Sequence, residues 1–242
     1  MTGGLCHVGK PYWNGNVLLA QVVNPTAGFF AGDTFSFEVV LKEGAQVLLN
    51  QPGATRIHTM DADRVAIINQ CFTVGENASL DLYPDLSISQ RRSSLIQKTE
   101  LHLSSSAKCC YLEILTPGRI AHGETLEWNL LQNKLDIYRE GQLLARERMN
   151  LRQQDIWRLR SAEGEPLYLA SFWVQHPMIE MIMDLQIATS DEIQIGPTIL
   201  ADYFGVIRVA SNSSVEIRKQ VDILREQLHA IEPSFGNSNA LY

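Results

Sequence analysis

Along most of the chain, hydrophobic and polar residues alternate one for one and do not follow helical spacing. In Asp33-Thr-Phe-Ser-Phe-Glu-Val-Val-Leu, Phe35, Phe37 and Val39 share one face while Thr34, Ser36 and Glu38 share the other, as in a half-buried strand. Gly44 interrupts this run, and Ala45-Gln-Val-Leu-Leu-Asn begins the next. Comparable runs occupy Arg64 to Val74, Ala78 to Tyr83, Ser94 to Leu103, Lys108 to Leu115, Thr125 to Tyr138 and Gln142 to Leu151. Turn signals separate them at Lys42-Glu43-Gly44, Gly75-Glu76-Asn77, Ser104-Ser105-Ser106 and Glu140-Gly141. Strand after strand, with no helix-length pattern between, predicts a mainly β, antiparallel body and argues against βαβ units.

Three phrases are alike: LKEGAQVLLNQ from Leu41, TVGENASLDLYP from Thr73 and, more faintly, LSSSAKCCYLEI from Leu103. Each is a strand, a turn with Gly or Ser, a small Ala and an alternating strand. Their spacing of roughly 30 residues suits stacked β-sheets in solenoid-like layers. The last third changes period and predicts two helices. Pro177 to Gln186 carries Met178, Ile179, Ile182, Met183 and Leu185 at helical spacing behind a first-turn proline. Met178, Met181 and Met183 lie around more than one side of it, leaving room for an adaptable partner surface. Ser213-Ser-Val-Glu216 reads as a capping box. Ile217, Val221, Leu224, Leu228 and Ile231 then form one apolar stripe, which Pro233 ends. The expected organisation is a single domain over residues 1–242: a β body at about 5–175, a helix-containing part at about 176–233 and a polar tail at 234–242.

Charge and cysteine usage narrow the function classes. Twenty Lys and Arg against 27 Asp and Glu give a net charge of −7, without the basic footprint that nucleic acid requires. No apolar run reaches 18 residues and no basic-then-apolar leader opens the chain, so a soluble, cytoplasmic protein without a membrane partner is expected. Cys6, Cys71, Cys109 and Cys110 make no disulfide framework, and reduced thiols are the expectation.

Candidate chemistry is sparse. Asn24-Pro-Thr-Ala-Gly-Phe-Phe-Ala-Gly-Asp33 has glycines but leads into a strand and lacks the lysine of a phosphate loop. It reads as a turn with Gly28 and Gly32 at positive φ, ending on an acid, Asp33, that faces either a pore or a partner. There is no G-x-S-x-G, and Glu124 and Glu127 fall on opposite faces at strand spacing, so catalysis finds little support, and a hydrolase using Glu124 or His122 ranks last among the readings. No C-x-x-C or H-E-x-x-H occurs. Cys6-His7 and His122 remain as weak metal candidates, set against single solvated or buried residues. His122 stands in Gly118-Arg119-Ile-Ala-His122-Gly123-Glu124, a polar loop bracketed by two glycines and equally readable as an ordinary turn with an Arg–Glu pair.

Taken together, these motifs resemble the urease accessory protein UreD (UreH) family. NPTAGFFAGDTFSFEVVLKEGAQVLLNQPGATRIH follows its glycine-rich, G-D, strand, G-A, strand order through Asn24, Pro25, Gly28, Gly32, Asp33, Gly44, Ala45, Gln51, Ala54, Thr55 and Ile57. TPGRIAHGE matches a G-R-x-x-x-G-E pattern at Gly118, Arg119, Gly123 and Glu124. ARERMNL and DYFGVIRVASNSSVEIRKQVDILREQL resemble the later family segments, so the likeness runs from about residue 5 to 235. There are departures: Ala27-Gly28 replaces a glycine pair, Arg56 replaces a usual lysine, the chain starts later than the family pattern, and its closing motif is not recognisable in Asn237 to Tyr242.

The resemblance implies a mostly β, helix-flanked scaffold that is not an enzyme. It implies binding to UreF-like and UreG-like accessory proteins, UreG being the GTPase, and docking of that assembly on apo-urease for nickel insertion. No permanent cofactor is implied; nickel would be transient. Asp33, Thr55, Arg119 and Glu124 become the candidates for a polar passage or partner site, with Arg119 ordering its loop through an ion pair. A stand-alone β ligand-binding module, suggested by the repeated strands and by Trp13, Trp128, Trp157 and Trp173, is the alternative, alongside a divergent paralogue with another partner.

Overall fold

The computed structural model describes residues 6–61, 63–185 and 192–235. Strands β1 (His7–Val8) and β2 (Tyr12–Asn14) both pair antiparallel with β3 (Val17–Val23). The chain then coils. A first coil is β4 (Thr34–Leu41), β5 (Gln46–Gln51) and β6 (Thr55–Ile57); a second is β7 (Ala66–Val74), β8 (Ser79–Pro84) and β9 (Ser87–Ser89). A third begins with β10 (Ser94–Leu103) and β11 (Lys108–Leu115). Next come β12 (Leu130–Arg139), β13 (Gln142–Leu151), β14 (Tyr168–Gln175), α1 (Ile179–Met183), β15 (Ile193–Ala201), β16 (Phe204–Ser211) and α2 (Ser214–Ile231).

Each coil lies in parallel register on the one before. Thr34 stands beside Ile67 and Ala66 beside Leu95, while Gln46 stands beside Ser79 and Ser79 beside Lys108. The repeated phrases are therefore stacked corners. Ser79 N–H donates to the Ala45 carbonyl at 2.8 Å, and Lys108 N–H donates to that of Ala78 at 2.9 Å. Only a small residue fits here, since Ala78 and Ala107 are fully enclosed. A side chain on Gly75 would lie 2.9 Å from the Leu41 carbonyl oxygen. The stacked, solenoid-like layering matches the sequence reading. The pairing between coils is parallel, and antiparallel ladders are confined to the flanks, where β1 and β2 join β3, β13 joins β12, and β14, β16 and β15 extend the sheet beyond β11. Side-chain alternation is the same in both kinds of ladder, which is why periodicity did not separate them.

Two sheets result: a small one ordered β13-β12-β10-β7-β4, and a large one running β1-β3-β5-β8-β11-β14-β16-β15. Between them, Leu41, Phe72, Leu101 and Ile137 meet Leu49, Leu80 and Cys109. The opposite face of the large sheet is apolar too: Cys110, Leu112, Phe172 and Ile207 pack against Ile217, Val221, Leu224 and Leu228 of α2. The adjacent cysteines thus point to opposite faces of β11. Both are free thiols, and burial pushes both pKa values up.

Helix α2 starts as its sequence predicts, with Ser213 Oγ accepting from Glu216 N–H at 3.3 Å. A polar ladder then fixes it to the large sheet. Asp81 and Tyr83 of β8, and Asp85 just beyond, are alternate outward positions. They meet Arg225, Asp222 and Arg218, which recur on one face of the helix. Arg225 grips Asp81 with two bonds of 3.0 and 2.7 Å, and both side chains are at most 2% exposed. At the helix end, Glu232 accepts from Lys108 Nζ at 2.5 Å, from Ser234 Oγ at 2.6 Å and lies 3.1 Å from His176 Nε2.

Three expectations change. The strand expected from Thr125 begins at Leu130, because residues up to Asn129 form a loop that closes on Ser93 and Arg92. The helix expected over Pro177–Gln186 is only Ile179–Met183, with Gln186 outside the described residues. Of its methionines, Met178 and Met181 are exposed while Met183 is buried against Gly205. The tail expected from residue 234 begins anchored: Ser234 and Phe235 are buried, and Ser234 Oγ bonds Ser79 Oγ at 2.7 Å. Residues 236–242 lie outside the described residues.

Candidate functional site

The signature turns, distant in sequence, stack into one column along the third side of the coils. Phe29 N–H donates to the Arg56 carbonyl and His58 N–H to that of Phe29, at 2.8 and 2.9 Å. Strand β6 then pairs with β9 from Thr55 beside Ser87 to Ile57 beside Ser89. Thr116 N–H completes the column by donating to Ser87 carbonyl at 3.1 Å. Two glycines let these layers touch. Gly28 has φ +139°, and a Cβ there would lie 2.4 Å from the Arg56 carbonyl oxygen; Gly118 has φ +118°, and its Cβ would lie 2.7 Å from that of Glu124. Asn24 Oδ1 holds the first turn by accepting from Thr26 N–H at 2.9 Å, next to Pro25. Asp33 closes the same turn by accepting from Phe30 N–H at 2.7 Å, with Gly32 beside it at φ +84°.

The second signature loop is an ion-pair node. Arg119 forks onto Glu124 with bonds of 2.9 and 2.5 Å, so the guanidinium holds that carboxyl below its usual range. Glu124 also accepts from Arg91 N–H at 3.1 Å, and Glu127 accepts from Arg91 Nε at 2.5 Å. The two carboxylates do not fall on opposite faces of a strand: they lie in the loop before β12 and converge on one arginine. Gly123 ends the short turn Ile120–His122 at φ +72°.

Behind this column, between the two sheets, lies a cavity of about 280 Å³. Its lining passes from exposed Thr26, Gly53 and Arg56 to Tyr111, Glu113 and Asn133 inside, and on to Glu147 and Arg208. Glu113, half-buried, is the acid on its inner wall. Its Oε1 accepts from Tyr111 Oη at 2.9 Å, Gln97 Nε2 at 3.1 Å and Asn133 Nδ2 at 3.1 Å. Burial nevertheless raises its pKa: the amide and phenol bonds only partly offset lost hydration, and Glu147 adds repulsion. Asn133 Oδ1 is buried with no hydrogen-bond partner among the described residues. At the far side, Arg208 pairs with Glu147 at 2.8 Å and bonds Ser171 Oγ at 2.9 Å, joining β16 of the large sheet to β13 of the small one. A set of carboxylate, amide and hydroxyl oxygens in a partly open, otherwise largely apolar cavity can hold water or a hard-to-borderline cation weakly, without a thiolate–imidazole cage that would trap one.

Of the sequence candidates, Asn24, Gly28 and Thr55 line this cavity. Asp33, Arg119 and Glu124 do not; they sit in the outer turns, and Asp33 is two coils from Glu124. Cys6 faces the cavity with its thiol pKa raised by burial, whereas neighbouring His7 is exposed on β1, so the pair does not converge on one ion. His122 is exposed on its turn. The four tryptophans do not gather either: Trp128 and Trp173 are buried, while Trp13 and Trp157 are each about two-thirds exposed. Sequence reasoning missed Glu113. The available signal was its parity, since Cys109, Tyr111 and Glu113 alternate with Cys110, Leu112 and Ile114 in a strand that is apolar on both faces.

The fold defines a coiled β body whose two sheets enclose an apolar core and a partly polar cavity, with a helix packed on the outer face of the large sheet. The family model described as "UreD urease accessory protein" matches residues 4–240, and the chain belongs to that family. A urease accessory protein UreD of Opitutus terrae is 39% identical over 160 residues, covering 65% of this chain and 58% of that protein. Those of Acetivibrio thermocellus and Lysinibacillus sphaericus are each 26% identical, covering 92% and 87% of this chain and 87% and 80% of theirs. No helix among the described residues is long and apolar enough to cross a membrane.

Proposed function

We propose that this chain is a non-catalytic scaffold of urease maturation that joins a UreF/UreG-type GTPase complex to apo-urease, and that its internal cavity is a polar passage for nickel. Membership in a family of urease accessory proteins implies the role in maturation. The observation that supports the passage is the cavity behind the signature turns, with Glu113 on its inner wall. A half-buried carboxyl whose pKa is held up by lost hydration exchanges a proton for a cation at small net cost, and amide and hydroxyl neighbours allow release. Nickel is the cargo, and no residue here holds it permanently. The flank formed by α1 and β15 exposes Met178, Met181, Ile199, Leu200 and Tyr203, an adaptable apolar surface suited to a partner protein in the cytoplasm.

The test combines co-purification with activation. A tagged chain is expected to retain UreF-like and UreG-like proteins and apo-urease in stoichiometric amounts; failure to bind folded partners overturns the scaffold. Glu113→Gln is expected to leave that complex intact while nickel-dependent activation falls by about tenfold or more, as for loss of an electrostatic contact of at least ~1.4 kcal/mol. Full activation by Glu113→Gln removes the passage and leaves the scaffold standing. Asp33→Ala and Glu124→Ala distinguish the outer turns: loss of activation together with loss of the complex assigns them to docking.

A further inference from the structure

The outer face of the small sheet, turned away from the cavity, carries a second cluster of ligand-type side chains. Cys71 of β7 stands directly beside Glu100 of β10 in the parallel ladder, and His102 follows two residues on, on the same face. One ligand atom from each lies within 4.8 Å of the other two, the only such trio of His, Cys, Asp or Glu among the described residues. His102 Nε2 is already 3.2 Å from Glu100 Oε2. The imidazole is stacked on Tyr138 of β12, with ring centres 5.0 Å apart and planes 5° from parallel, which holds its orientation. Neighbours Phe72 and Thr99 point the other way and are buried, so the sheet itself separates this cluster from the cavity.

We propose that Cys71, Glu100 and His102 form a surface site for a divalent first-row transition ion. Sulfur, imidazole nitrogen and carboxylate oxygen together suit borderline ions such as zinc, cobalt or nickel and disfavour magnesium or calcium. In a tetrahedral site with bonds of about 2.0–2.3 Å, ligand atoms stand about 3.5 Å apart, so the half-exposed side chains close on an ion by rotating about their own bonds. Glu38 of β4 flanks Cys71 on its other side in the register and is the nearest source of a fourth ligand; otherwise that position stays open to water. Lys98, one alternate position before Glu100 on the same strand, brings a positive charge to the same face. The site stands apart from the proposed passage and does not depend on it.

Cobalt(II) titration of the reduced, untagged full chain tests the assignment. A single equivalent is expected to produce a near-ultraviolet thiolate-to-cobalt absorption with tetrahedral visible bands, displaced by zinc or nickel. Cys71→Ser is expected to abolish the near-ultraviolet band. His102→Ala and Glu100→Gln, both at partly exposed positions, are expected to weaken binding by more than the ~10–100-fold that loss of an outer-shell partner costs. Absence of the band in the native chain overturns the site. So does a band that survives Cys71→Ser, or one lost in Cys6→Ser instead. If Cys71→Ser does not fold, His102→Ala decides: unchanged cobalt affinity in that variant overturns the proposal.

Discussion

Asp81 and Glu113 are inward acids on opposite faces of one sheet, the first fully buried and the second half-buried against a cavity, and their surroundings differ in kind. Asp81 faces α2, where Arg225 neutralises it through two bonds and Tyr83 lies under the same guanidinium, 3.9 Å from its ring centre. Glu113 faces the interior with only amides and a phenol as direct partners, and its carboxyl is pushed toward the protonated form. A full counter-charge makes the first a fixed structural joint. Neutral partners leave the second able to change its proton or exchange it for a cation. In the proposed reading, the charge of the direct partners, more than burial, separates a structural acid from one that exchanges its proton.

The largest expected effect breaks the structural half of this comparison. Arg225→Ala leaves Asp81 buried without its counter-ion and should cost about 3–5 kcal/mol, lowering the melting midpoint by roughly 10 °C or more. Replacing both partners, as Asp81→Leu with Arg225→Met, should recover most of that loss in calorimetry, because the cost lies in the stranded charge. Gly28→Ala comes next. Its Cβ would meet the Arg56 carbonyl in a left-handed backbone, so a loss of about 1–3 kcal/mol is expected by denaturant unfolding. Gly44→Ala, at φ +70° with open space around it, should cost only the backbone penalty of about 1–2 kcal/mol.

A pH series sharpens the contrast at the helix end. Burial opposes the charge of Glu232, but bonds from Lys108, Ser234 and His176 outweigh it and bring the pKa down to about 2. The stabilisation is therefore complete above the carboxyl's unfolded pKa and is lost as pH falls from there toward 2. Burial likewise lowers the pKa of His176, so the folded state resists its protonation and stability already declines as pH drops below the unfolded histidine value. Glu232→Gln should flatten the acid limb of a stability–pH curve. The smallest stability effect belongs to Glu113→Gln, within about 1 kcal/mol of the native chain because it removes a poorly compensated charge. Its proposed consequence for urease activation should nevertheless be large. A substantial stability loss would instead make Glu113 a second structural joint.

Much of this architecture was legible from local pattern. Phe35, Phe37 and Val39 alternate in sequence and pack inward together, the three Ala-centred phrases became stacked corners, and Ser213 caps the helix it announces. Features requiring a second segment were not legible. Asp81 meets Arg225 from 144 positions away, Cys71 meets Glu100 one coil later, and nothing local marks either pair. Residues Thr125 to Asn129 alternated plausibly yet formed a loop, because Arg91 and Arg92 claimed Glu127 and its neighbours. The site was half-readable. The signature turns were found, but the acid behind them was hidden in an apolar strand.

The lock between α2 and β8 also sets a timetable for synthesis. The coils can stack as they leave the ribosome, but the apolar outer face of Leu112, Phe172 and Ile207 stays open until Arg225 and the stripe around it have been translated. For that interval the nascent protein displays a sticky sheet with an unmatched acid at its middle, the condition in which β-rich chains aggregate or recruit a holdase. A chain truncated before residue 214 is therefore expected to leave that face uncovered and to aggregate.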